Sequence, residues 1–395
     1  MIGFDEALGL VCEVARPLGV EQVALTAAAG RVLGADLKAR LNAPAHDVSA
    51  MDGYGVHEDD VSKTPAKLPV TIESFAGSAP DQTLPRGECA RIFTGAPVPE
   101  GVDRVIIQEN VRRDDDVAIF NQAPGPGNNI RKLGSDFKAG DTLLAKGTHL
   151  SWKAMTTAAA ADHRDLTVYR KPNAVVLATG DELKPPGSAY KTPGAIPESV
   201  SLGVSAFLAG NGVDVLRSER LADQLDTLEQ AAARAVSDAD LIVVTGGASV
   251  GEKDYAKTMF EPHGLELIFS KVAIKPGKPI WMARAGTSLI VGLPGNPTSA
   301  LVTARLFLKP LIYGLTGLSP HAATAFRSVI CRDPLPEIGG RETFSRAYIQ
   351  DGEAALFSSQ DSSSQATLAK ASLLIRRKAN AAALPAGQLV DVLDF

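Results

Sequence analysis

The sequence predicts a multidomain α/β protein: a central doubly wound, mostly parallel sheet, preceded by an N-terminal helical and β-rich part and followed by a small C-terminal β barrel. Three observations carry this. The 395 residues are too many for one compact core. Between about residues 171 and 318, apolar runs ending in glycine-rich turns alternate with helix-like stretches, the pattern of repeated β–loop–α units. On either side of that region, short β-rich runs are separated by Gly and Pro turns.

The elements follow in order. Residues 4–16 place Phe4, Ala7, Leu8, Val11 and Ala15 on one helical face, and Pro17 stops the helix. An alanine-rich second helix is expected over 23–34. From Pro44 to Thr148 the runs 68–75 and 104–108 read as strands, and 151–161 returns to helix. A strand over 174–178 ends at Thr179-Gly180-Asp181-Glu182, and a helix over 199–208 closes at Gly210-Asn211-Gly212. A strand over 213–216 leads to a helix over 224–236, with Asp223 placed to cap it. The run 241–244 enters Thr245-Gly246-Gly247. The run 288–291 enters a turn holding Pro294, Asn296 and Pro297, then a helix through Leu308. The expected domains are 1–45 with 146–170, then 46–145, 171–318 and 319–395.

Hydrophobic residues at 45% and charged residues at 22% are ordinary for a soluble globular chain. A net charge of -5 argues against a nucleic-acid partner. Cys12, Cys89 and Cys331 form no Cys-x-x-Cys pair, and the six histidines have no zinc-like spacing. The start has no basic flank before an apolar run, and no stretch reaches the ~20 apolar residues that span a bilayer. A cytoplasmic location without membrane contact is expected.

Ligands of doubly wound sheets bind beyond the carboxyl ends of the strands. There the loop carrying Gly246, Gly247 and Ser249 offers backbone amides to an anion, although such a turn serves tight packing equally well. A carboxylate beside an anion nest makes sense with a bridging cation, which gives Asp254 a role with magnesium. Asp181, Glu182 and Asp223 lie at the same edge. Each alone reads as a helix cap or solvated turn, but together they suit a hard cation. Lys271 and Lys275 are i,i+4 and share a face of an extended strand. With prolines following, an oxyanion site is favoured there over a solvated basic edge. In the β-rich part Asp52, Thr94 and Asp136 each sit in a glycine-containing turn, and turn chemistry and binding remain equally open. No Gly-x-Ser-x-Gly, Walker loop or His-Glu-x-x-His occurs.

Six motifs stand together: Ser-Ala-Met-Asp-Gly-Tyr, Thr-Gly-Ala-Pro-Val-Pro, Thr-Gly-Asp-Glu-Leu, Gly-Gly-Ala-Ser-Val-Gly, Ala-Ile-Lys-Pro-Gly-Lys-Pro and Gly-Leu-Pro-Gly-Asn-Pro. In this order they closely resemble the MoeA family of molybdopterin molybdenumtransferases and the related gephyrin E domain. The resemblance implies a homodimer of elongated four-domain subunits, the third of them molybdopterin-binding. It also implies a transferase of molybdenum cofactor biosynthesis that takes adenylylated molybdopterin and molybdate, uses Mg2+ and releases AMP. The adenylyltransferase and apo-molybdoenzymes are further implied partners. By motif, Glu182, Asp223, Asp254, Lys271 and Lys275 form the implied catalytic set, with Asp223 and Asp254 on the metal. Asp52, Thr94, Asp136, Gly246, Gly247, Ser249, Lys278, Pro294, Asn296, Arg346 and Ser362 (or Ser363) are the implied substrate contacts. Two stretches depart from the family: Val200 stands where asparagine is usual, and Gln360-Asp-Ser-Ser-Ser lacks a usual glycine. A non-catalytic molybdopterin-binding scaffold and an adenylyltransferase-like activity are the alternatives. The intact acid set weighs against the first, and the flanking domains with Ser49-Ala-Met-Asp52 weigh against the second.

Overall fold

The computed structural model describes residues 1–79, 81–246 and 255–395. At its centre, strands Asp214–Leu221, Asn173–Thr179, Leu241–Thr245 and Ser288–Leu293 lie side by side in parallel, and Trp281–Ala285 and Glu266–Ser270 extend the sheet antiparallel. Every residue of Leu241–Thr245 and Ser288–Leu293 is buried, as a sheet covered on both faces requires. The period of two sends neighbours to opposite sides. Val176, Val243 and Val291 meet Val204, Leu208 and Phe307, whereas Val175, Leu177 and Val244 meet Leu228, Ala231 and Ala235. This is the doubly wound sheet the β–loop–α pattern predicts.

The N-terminal helix, Phe4–Val14, buries Phe4, Ala7 and Val11. Phe4 packs edge-on to Phe307 at 5.7 Å between ring centroids and lies 4.9 Å from Phe344, so this helix fills the seam between the sheet and the C-terminal barrel. The expected helix over 23–34 does not form. Val20–Ala24 is a strand paired antiparallel with Asp165–Tyr169, followed by a single 3-10 turn at Leu25–Ala27. Alanine's helical preference is weak per residue, and here pairing with a distant strand overrides it.

The β-rich part is a six-stranded sheet in the order Arg104–Ile107, Gly53–Val56, Cys89–Ile92, Ala66–Ser74, Val117–Phe120, Val111–Asp114. Tyr54, Val56, Leu68 and Phe120 form its core. The tail closes into a five-stranded barrel: Glu342–Gln350, Glu353–Leu356, Arg327–Cys331, Gln388–Asp394 and Leu373–Arg377, with the last paired back to the first. The short strand Ile274–Lys275 joins this barrel parallel to Glu342 and Thr343, a direct tie to the sheet domain. The helix expected to end at Leu308 runs on. Pro297–Thr303 widens into a π turn over Ala304–Leu308 and continues as Lys309–Leu315. No helix among the described residues is long and apolar enough to cross a membrane.

Candidate active site

The carboxyl ends of the parallel strands open into a cleft of about 300 Å³, lined by Thr179, Glu182, Glu198, Thr245, Gly246 and Asn296 among others. Two strand-end turns approach closely there. Gly246 has φ +89°, and a Cβ on it would stand 2.4 Å from the Thr179 carbonyl oxygen, so glycine is required. Asn296 begins the Pro297–Thr303 helix, but its side chain makes no capping bond. Its Nδ2 donates to Ser362 Oγ at 3.3 Å, and its buried Oδ1 has no hydrogen-bond partner among the described residues. A buried acceptor left open in a cleft is suited to a ligand N–H.

A second cleft, of about 630 Å³, lies where Ile274–Lys275 meets the barrel. Lys275, Arg341 and Arg377 bring positive charge to it, Glu337 and Gln360 lie alongside, and Arg346, only 1% exposed, stands in its wall. Arg377 is only 8% exposed, and its Nη1 has no hydrogen-bond partner among the described residues. Such a cation-lined cavity suits an oxyanion. The loop 359–367 is common to both clefts: Gln360 lines the larger, Ser363 and Gln365 the smaller.

The acids divide. The Asp223 backbone N–H donates to Asp181 Oδ1 at 3.1 Å, so these two residues meet at one corner of the strand ends. Asp223 is not the helix cap expected. That position falls on Gln224, whose side chain makes no capping bond. Among the described residues no group of three His, Cys, Asp or Glu could hold a metal. Gly247, Ser249 and Asp254 lie outside the described residues.

The expected extended strand through Lys271 and Lys275 is broken. Lys271 has φ +65°, its carbonyl accepts from the Ile2 amide at 3.2 Å, and the chain then turns into the barrel. The shared face argued from strand spacing is therefore lost. Lys275 reaches the larger cleft, whereas Lys271 and Lys278 are exposed and line neither. Pro294 is buried.

In the β-rich domain, Asp52 Oδ1 accepts from both the backbone N–H and the hydroxyl of Thr94, each at 2.7 Å. Those two bonds, the hydroxyl's first, hold the carboxyl below its ordinary range. Asp136 is exposed in a separate turn, its amide donating to the Ala43 carbonyl. Neither cleft includes Asp52, Thr94 or Asp136. The sequence reading missed Glu198, Arg341 and Arg377.

Fold and clefts together define a doubly wound α/β protein with an open cleft at the carboxyl edge of its parallel sheet, the place where such sheets take ligands. Residues 2–161 match the family described as MoeA N-terminal region (domain I and II), and residues 175–314 match a probable molybdopterin binding domain. The molybdopterin molybdenumtransferase of Haemophilus influenzae is 36% identical over 350 residues, 88% of this chain and 86% of its own length. Molybdopterin molybdenumtransferase 2 of Mycobacterium tuberculosis is 34% identical, with 100% of both chains covered. A solved MoeA structure from Pyrococcus horikoshii superposes with a TM-score of 0.86 at 24% identity over 100% of both chains, which shows the fold. The chain belongs to the molybdopterin molybdenumtransferase (MoeA) family and is an enzyme of molybdenum cofactor biosynthesis.

Proposed function

We propose that the two adjoining clefts hold the two reactants of molybdenum insertion: adenylylated molybdopterin at the strand ends and molybdate in the cation-lined cavity. The observation that carries this is their shared wall. A cleft with an open acceptor and the Glu182 carboxylate suits the N–H groups of a pterin, while Glu198 in its wall is occupied by the amide and hydroxyl of Ser201. The adjoining cleft, with Lys275, Arg341 and Arg377, suits a tetrahedral oxyanion.

In this reading water cleaves the adenylate's pyrophosphate and AMP leaves, while the two dithiolene thiols bond to molybdenum and their protons carry one molybdate oxygen away as water. Lys275 and Arg377 fix the oxyanion and offset its charge, while Asn296 and Glu182 orient the pterin end. Magnesium, held by Asp223 and Asp254, would offset the charge of the pyrophosphate. The remaining contacts implied by the family motifs, Gly247, Ser249, Lys271, Lys278, Pro294 and Ser362, are kept as part of the proposed site. We further propose a cytoplasmic homodimer in which Asp52, Thr94 and Asp136 of one chain complete the site of the other. The adenylyltransferase and apo-molybdoenzymes are proposed partners upstream and downstream. The four-part division at residues 45, 145, 170 and 318 is likewise proposed.

The test is to incubate the pure protein with adenylylated molybdopterin, magnesium and molybdate, then measure AMP and the reconstitution of an apo-molybdoenzyme. AMP release that depends on both metals and yields active cofactor is expected. Rapid hydrolysis without molybdate, with no active cofactor formed, would refute insertion.

A further inference from the structure

Arg346 lies on the barrel strand Glu342–Gln350 and is 1% exposed. Its guanidinium is occupied within one loop. Nη1 donates to the Ser364 carbonyl at 2.8 Å and to Thr367 Oγ1 at 3.0 Å, and Nη2 donates to the carbonyls of Asp361 at 2.9 Å and Ser359 at 3.2 Å. The Arg346 backbone is held by the same loop. Its amide donates to Gln360 Oε1, and Gln360 Nε2 donates back to its carbonyl, both at 2.9 Å. A planar fork spread over four acceptors in 359–367 is a strut, and both of its outer nitrogens are already engaged.

The loop continues across to the sheet domain. Ser362 accepts from Asn296 at 3.3 Å, the Ser364 carbonyl accepts from Thr298 Oγ1 at 3.1 Å, and Gln365 Oε1 accepts from Ser199 at 3.4 Å. The Ser364 carbonyl is thus shared by Arg346 of the barrel and Thr298 of the sheet domain. Asn296 and Thr298 follow the last parallel strand, and Ser199 precedes the Val200–Gly210 helix.

We propose that Arg346 is a positioning residue: it fixes the 359–367 loop as the common wall of the two clefts and so latches the barrel to the strand ends, without itself touching the oxyanion. This rests on the reading that the two clefts serve one reaction. It departs from the direct contact that the family motif implies for this arginine. The chemistry separates the two roles. An anion contact needs positive charge, which lysine supplies; a strut needs a fork that spans separated acceptors, which lysine lacks.

The test uses Arg346→Lys and Thr367→Val in the full-length protein, with hydrogen exchange followed by mass spectrometry and steady-state kinetics in both substrates. Arg346→Lys is expected to speed exchange in 359–367 by about tenfold or more, while Leu373–Arg377 keeps its protection. KM should rise for the pterin adenylate and for molybdate together, because both clefts lose the same wall. Thr367→Val removes one acceptor and leaves the cation in place, and should speed exchange in the same segment to a smaller degree. Unchanged exchange in Arg346→Lys with a raised KM for molybdate alone would overturn the proposal and make Arg346 an anion contact. If Arg346→Lys unfolds, wild-type exchange in Thr367→Val would overturn it equally. A wild-type protein without molybdate-dependent turnover would defeat the two-cleft reading instead, and the exchange data would still decide whether Arg346 holds the loop.

Discussion

Gly246 and Lys275 separate structural from chemical requirements within one site. At Gly246, alanine would add a Cβ 2.4 Å from the Thr179 carbonyl at a φ of +89°, both of which disfavour it. Gly246→Ala is expected to lower stability by about 1–3 kcal/mol in urea titrations and to reduce turnover with it. An alanine variant as stable as the wild type would show that the two turns move apart freely. Lys275 is exposed and lines the cation-rich cleft. Lys275→Ala should therefore cost at least about tenfold in turnover, as loss of a charge-assisted contact does, with the melting temperature little changed. A destabilised but fully active variant would make Lys275 structural. Lys275 was legible because two prolines and a glycine shape its loop. Arg377 was not legible beside Arg376. Only the barrel's closure sends Arg376 to Asp5 and Glu342 while its neighbour lines the cleft.

Among the elements, the strand Asn173–Thr179 that leads into the site is pinned at its start by Asp240. Its carboxylate accepts from Arg170 Nη1 at 2.9 Å and Nη2 at 2.8 Å, and from the Asn173 amide at 2.9 Å. Burial alone would raise the pKa of Asp240, but the Arg170 hydrogen bond and the Asn173 amide outweigh it and hold the carboxyl below its ordinary range. With the folded pKa depressed, the unfolded chain binds more protons as the solution is acidified. The stabilisation is present above the ordinary carboxylate pKa of about 4 and is lost as pH falls below it through the folded value. Urea titrations from neutral pH downward should therefore show a steeper acid loss for wild type than for Asp240→Asn. Parallel curves would contradict this. The parallel strands themselves were readable, because burial on both faces demands continuous apolar runs such as 241–244. The helix expected over 23–34 and the straight strand through Lys271 failed for one reason: each was judged from local spacing, while its geometry is set by a partner remote in sequence, Asp165–Tyr169 in one case and the barrel in the other.

Over the whole molecule, the chain's two ends meet. Asp5 near the start accepts from Arg376 at 2.7 Å, and the guanidinium lies 4.9 Å from the Phe4 ring centroid, so helix, sheet domain and barrel brace one another around the clefts. The β-rich domain stands outside this arrangement, with its Asp52–Thr94 pair in neither cleft. If those residues serve the reaction from a second chain, Asp52 and Lys275 of one site belong to different subunits. The most direct measurement mixes two inactive variants, Asp52→Ala and Lys275→Ala, lets their subunits exchange, and confirms mixing by native mass spectrometry. A mixed dimer then has one site with both lesions and one with neither. Random exchange makes about half of the dimers mixed, so molybdate-dependent AMP release should return to roughly a quarter of the wild-type level. Release that stays at background in a fully mixed sample would contradict the shared site.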